Sequence, residues 1–276
     1  MTVLPGSRVP LFAAVAALLG LGIGGEANAA CSMGPPESSL QQCFDTWLGA
    51  GVLPVGNRLA DGADSYWTTG GVASSTVVLE LAGFANTNQF GLYDPVSGSS
   101  VRIFAGSAAA GSTATIEFVA GSAGGYDVRV NGSTQGNFTS ALFGFYLFVP
   151  TTGTTFYSNT AANAANPPGP AGAIDPGPQP DHLYAYRGTN TRFLGQDNGI
   201  DEVKGLPEIL EGDVFASSQY ILAWEDLRSS VSGYDGDFQD FVVLVKDITP
   251  VPLPAAAWLL ASGLLGFGGL ARRRRA

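Results

Sequence analysis

Five carboxylates crowd the last quarter of the chain. Glu225 and Asp226 end one short apolar run, and Asp235, Asp237 and Asp240 lead into another. Hard oxygen ligands gathered in this way are what a calcium ion requires. The spacing of Asp235 and Asp237 begins like a helical calcium loop, but the distant Glu that closes such a loop is missing, and the apolar run 242–245 starts too early for an EF-hand. If runs 219–224 and 242–245 are strands, the five acids converge at one sheet end. There they repel one another unless a cation or backbone donors compensate. The cluster is therefore read as a calcium site, against the plainer reading that the acids cap a hairpin and bond to turn amides. Glu225 with Asp237 is also a carboxylate pair of the kind that cleaves glycosidic bonds, yet no nucleophile motif accompanies it. A single His182 and two cysteines leave little scope for other metal or nucleophilic chemistry.

The elements that would position these acids have period two. Runs 76–81, 89–93, 100–104, 113–119, 125–130 and 141–149 are rich in β-branched and aromatic residues and are separated by Gly, Ser, Asn and Asp. Thr68, Thr69, Gly70 and Gly71 read as the break before the first strand, and Asn131 as a turn residue. In 141–149, Phe143 and Phe145 share one face while Tyr146 and Phe148 share the other, which suits a core strand and, more weakly, a surface on which a sugar stacks. The prolines of 161–180 exclude both helix and central strand, so that segment is a long loop. The predicted fold is mainly β: an antiparallel β-sandwich, jelly-roll-like or Ig-like, over residues 76–249. Residues 31–75 form an N-terminal extension in which Trp47 and Trp67 pack against the body.

The block from Ile221 to Leu227, a variable turn, and then Asp235-Gly236-Asp237-Phe238-Gln239-Asp240-Phe241 is similar to the terminal signature of the DUF4114 family. In that family a Glu-Asp pair is followed by Asp-x-Asp-Phe/Tyr-Asn-Asp and a strand; Gln239 stands here where Asn is usual. The resemblance implies one module over about 88–246, in a family found in bacterial surface and matrix proteins with no assigned catalytic activity.

Both ends carry export features. Arg8 precedes an apolar run over 9–24, and Ala27-Asn28-Ala29 offers the small residues a signal peptidase accepts, so residues 1–30 read as a signal peptide cleaved after Ala29 or Ala30. A lipoprotein signal at Cys31 is the weaker alternative, because Asn28 replaces the usual Leu. In an exported chain, Cys31 and Cys43 are expected to form a disulfide closing a short loop. At the other end, Val251, Pro252, Leu253, Pro254 and Ala255 open an apolar segment over 255–271 that stops at Arg272, Arg273, Arg274 and Arg275. As a helix those 17 residues span roughly 26 Å, a little short of a bilayer core. The basic stop marks the cytoplasmic side of a C-terminal transmembrane helix.

This tail resembles the PEP-CTERM sorting signals of exosortase-processed exported proteins of Gram-negative bacteria, in the variant that opens Val-Pro-Leu-Pro-Ala. The resemblance implies transient anchoring in the membrane through 255–271, recognition of the 250–276 signal by an exosortase, removal of the tail, and delivery to the cell surface or extracellular matrix. Exopolysaccharide biosynthesis commonly accompanies such systems.

Without the two ends, residues 31–249 carry 22 acidic and 8 basic side chains, a balance of −14. That charge disfavours nucleic acid and anionic lipid, and suits cations or a neutral polysaccharide. The expected protein is a non-enzymatic surface or matrix component, calcium-stabilised and associated with exopolysaccharide. A carbohydrate-binding module is the alternative, and a glycoside hydrolase the more distant one.

Overall fold

A computed structural model describes Leu40, residues 58–79 apart from 61, 87–121 and 124–163 apart from 107 and 109–111, then 182–192, 214–227, 238 and 240–251. Among these residues the protein is mainly antiparallel β, in sheets of seven, four and two strands. The strands are β1 (Trp67–Leu79), β2 (Gln89–Tyr93), β3 (Ser100–Phe104), β4 (Thr113–Ala120), β5 (Tyr126–Val130), β6 (Ser133–Phe138) and β7 (Gly144–Val149). They continue as β8 (Thr154–Tyr157), β9 (Leu183–Arg187), β10 (Thr191–Arg192), β11 (Val214–Phe215), β12 (Gln219–Trp224) and β13 (Phe241–Pro250).

The larger sheet runs β6-β5-β4-β1-β13-β12-β9 and the smaller one β3-β2-β7-β8, with β10 and β11 paired separately. The first and last strands therefore lie side by side at the centre, with Trp67 opposite Pro250 and Thr76 opposite Leu244. This pairing joins the two ends of the described body into one sheet. The chain passes between the two larger sheets after β1, β3, β6 and β8.

Alternation determines which side chains meet between the sheets. Phe90 and Leu92 of β2, and Phe145 and Leu147 of β7, are buried in one core with Ile116, Phe118, Leu222, Trp224, Phe241 and Val243 of the larger sheet. The Phe90 ring lies 6.2 Å from Trp224 and 5.7 Å from Phe241, and Trp67 is 5.8 Å from Phe145. Each such side chain contributes roughly 1.5–3 kcal/mol by leaving water, so these contacts hold the sheets together. Tyr220 to Trp224 and Phe241 to Val245 are buried at every position. Their uninterrupted apolar runs follow from burial on both faces. On the second face Arg58 lies over the Tyr184 ring, and Leu59 N donates to Ala185 O.

Several local expectations need correction. Strand β1 begins at Trp67 and runs through the segment 68–71 that reads as a break. Gly71 has φ +134, a conformation open to glycine, and the register with β13 shifts between Thr69 and Ser74. The Thr-Thr-Gly-Gly sequence thus marks an irregularity inside a strand. β7 starts at Gly144, and Phe143 before it makes an isolated bridge to Trp67. β13 extends to Pro250, beyond the expected 242–245. β6 and β8 were not expected at all: β6 is polar and mostly exposed, and β8 has four residues.

No helix among the described residues is long and apolar enough to cross a membrane. The predicted signal peptide over 1–30, Cys31 and Cys43, most of the loop 161–180, the apolar segment 255–271 and Arg272, Arg273, Arg274 and Arg275 lie outside the described residues. Val251 is the one described member of the sorting motif, and its N–H donates to Tyr66 O at 2.8 Å; Pro252, Leu253, Pro254 and Ala255 lie outside.

Candidate metal centre

Antiparallel register brings the acids together. Trp224 pairs with Phe241, and Trp224 also pairs with Leu183. Glu225 therefore leaves β12 at the level where Asp240 enters β13, and His182 enters β9 beside them. Asn88, the residue before β2, reaches this end from the smaller sheet, with its Nδ2 donating to Asp226 Oδ2 at 2.8 Å.

Oxygens of Glu225, Asp226 and Asp240 lie within 4.8 Å of one another. Glu225 and Asp226 are buried at 0 % and 2 % exposure, and Asp240 is half-buried. At an effective dielectric near 20, each such pair of charges repels by about 3 kcal/mol. Local donors offset part of this: Asp226 N donates to Asp240 Oδ2 at 2.9 Å, and Leu227 N to Glu225 Oε1 at 3.2 Å. Glu225 N donates to His182 O, and the Glu225 carbonyl lies 3.2 Å from His182 Nδ1. The His182 ring is buried and stacks on Phe156 at 3.9 Å. It acts as a packed wall that meets the Glu225 backbone.

One described residue before Asp240 is held in an uncommon backbone conformation. Phe238 has φ +57, a left-handed value that costs a bulky residue energy. Its ring stacks on Tyr184 at 3.6 Å, and Arg58 covers Tyr184 at 3.9 Å to the centroid. Packing thus sets the backbone that delivers Asp240.

Three of the five expected ligands are brought together: Glu225, Asp226 and Asp240. Asp235 and Asp237 lie outside the described residues. The residue that sequence reasoning missed is Asn88. It is 1 % exposed, and its Oδ1 is buried with no hydrogen-bond partner among the described residues. An amide oxygen is a hard ligand of the type calcium accepts alongside carboxylates. A polar residue directly before a strand was the only signal that could have pointed to it, because its partner Asp226 is 138 residues away.

Three carboxylates this close are hard oxygen ligands of the kind a divalent cation takes, while the Asn88 amide turns its N–H toward Asp226. Comparison with protein families, with curated proteins and with solved structures gave no match.

Proposed function

We propose that this chain is an exported, non-enzymatic component of the cell surface or extracellular matrix whose β body is stabilised by calcium. The observation that carries the proposal is the burial of carboxylates crowded within 4.8 Å beside a buried amide whose oxygen has no hydrogen-bond partner among the described residues. Burying such groups costs stability unless a charge neutralises them. A calcium ion does so and ties together two strand ends of the larger sheet, those of β12 and β13, beside Asn88 at the start of β2 in the smaller. Burial of Glu225 favours a ligand role over that of an acid reaching a sugar. The body is read as a jelly-roll-like or Ig-like sandwich, and the similarity of 221–241 to DUF4114 supports the surface location.

Delivery follows the features of the two ends. The signal peptide directs export, the apolar segment 255–271 holds the chain in the membrane for a time, and an exosortase removes the tail.

Calorimetric titration of the full-length chain with calcium tests the ion, with Asn88→Leu and Asp240→Asn as variants. Saturable heat that both variants weaken supports the reading. Absence of heat, with an unchanged melting temperature, sinks it. Mass spectrometry of the mature C-terminus tests delivery, since a mature protein that retains Arg272 to Arg275 would point to a permanent anchor.

A further inference from the structure

The outer face of the four-stranded sheet carries side chains arranged in rows by register. Gly91 of β2 stands opposite Tyr146 of β7 and beside Arg102 of β3, while Tyr146 stands opposite Tyr157 of β8. Gln89 and Phe148 form the next pair. Inward-pointing neighbours of these residues fill the core, yet Tyr146, Phe148 and Tyr157 are only half-buried.

The glycine determines how the Tyr146 ring lies. A Cβ at Gly91 would sit 2.6 Å from Tyr146 Cε1, so the ring rests on the bare backbone of β2. One ring face covers the sheet and the other lines a cleft of about 510 Å³ together with Phe148 and Tyr157. A second cleft of about 470 Å³ continues from it toward Gln135 of β6. Gln89, Ser100 and Tyr146 belong to both. The two clefts therefore form one groove, longer than a site for a single small molecule.

Its polar groups lie along the rim. Arg102 Nη1 donates to Gln89 Oε1 at 3.3 Å, which leaves the guanidinium further N–H groups for hydroxyl acceptors. Burial pushes the Tyr146 phenol up, partly countered by Arg102, so the phenol remains a donor at neutral pH. Aromatic faces flanked by amide, hydroxyl and guanidinium groups match a pyranose, which has an apolar C–H face and a hydroxyl edge. The charge of −14 over residues 31–249 opposes an anionic chain.

We propose that this groove binds a neutral polysaccharide chain, with Tyr146 as the stacking platform and Gln89 and Arg102 reading hydroxyls at the rim. The inference goes beyond the calcium reading and does not need the ion, because none of the crowded acids lines the groove.

The test is native electrophoresis of the full-length chain through gels containing a neutral glucan, mannan or galactan, each run with and without a calcium chelator. Polygalacturonate serves as the anionic comparison. Retardation by at least one neutral polysaccharide is expected, weakened about tenfold by Tyr146→Ala and within about threefold of the native chain for Tyr146→Phe, since stacking is worth about a kcal/mol. Ser100→Trp fills the exposed floor shared by both clefts without touching the core, and is expected to abolish retardation even if Tyr146→Ala folds poorly. Retardation by no neutral polysaccharide, or by polygalacturonate alone, overturns the proposal. So does retardation that Ser100→Trp leaves unchanged. Calcium heat in the calorimeter remains in all of these outcomes, so failure here is separable from failure of the ion reading.

Discussion

The acidic strand ends and the aromatic groove use carboxylates in opposite ways. At the groove, Asp94 is a single buried carboxylate surrounded by donors: Thr139 N at 2.7 Å, Val96 N at 2.8 Å and Ser97 Oγ at 2.8 Å. At the strand ends, three acids crowd within 4.8 Å. Asp94 ties the β2–β3 turn to the segment leading into β7 and is satisfied by the protein itself. At the strand ends the donors Asp226 N, Leu227 N and Asn88 Nδ2 are shared among three carboxylates instead of converging on one. A buried acid alone thus says little about ligands; the balance of acids against donors decides.

The sharpest way to break this contrast is to add calcium and follow melting. At a concentration about 100 times Kd, binding to the folded state is worth about 2.7 kcal/mol, or roughly 5–10 °C for a body of this size. Differential scanning calorimetry should show that shift in the native chain and in Ser100→Trp, and lose most of it in Asp240→Asn. Equal shifts in all three would move the ion elsewhere.

Asp94→Asn comes next. Burial by itself raises this carboxyl, but the bonds from Thr139, Val96 and Ser97 outweigh it and bring the pKa down to about 2. The folded value lies below the ordinary value of about 3.9, so the unfolded chain binds more protons between the two. The stabilisation is complete above about pH 4–5 and fades as pH falls through about 2. Urea unfolding at pH 7 should show Asp94→Asn less stable by about 1–3 kcal/mol, with the gap narrowing at pH 3. A gap independent of pH would mean that shape, and not charge, holds the turn.

Tyr146→Ala is expected to weaken polysaccharide retention about tenfold, near 1.4 kcal/mol, while leaving the calcium shift in place. Loss of both would make the two regions one cooperative site. The smallest effect belongs to Asn131→Ala. Asn131 has φ +51, and its Oδ1 accepts from Thr115 N at 2.9 Å. Chemical denaturation should show a loss of about 1 kcal/mol, with calcium binding unchanged.

Much of the fold was legible along the chain because alternation is local. The strands at 89–93, 100–104 and 219–224 have the expected bounds, and the opposite faces of Phe145 and Tyr146 follow from period two alone. β6 escaped notice although the Asn131 turn leading into it was recognised, since Ser-Thr-Gln-Gly-Asn-Phe has no apolar stripe and owes its strand state to pairing with β5. The break expected at 68–71 failed for a related reason: backbone pairing to β13 and β4 overrides a Gly-rich sequence.

What the sequence determined by itself was an acidic, β-rich body with clustered carboxylates near its end, because composition and period are properties of neighbouring residues. Only tertiary structure decided that Asn88 joins Glu225, Asp226 and Asp240, and that Tyr146 lies flat on Gly91. Both depend on which strands become neighbours. That choice is made by the shared core of Phe90, Trp224 and Phe241, through contacts that no local pattern encodes.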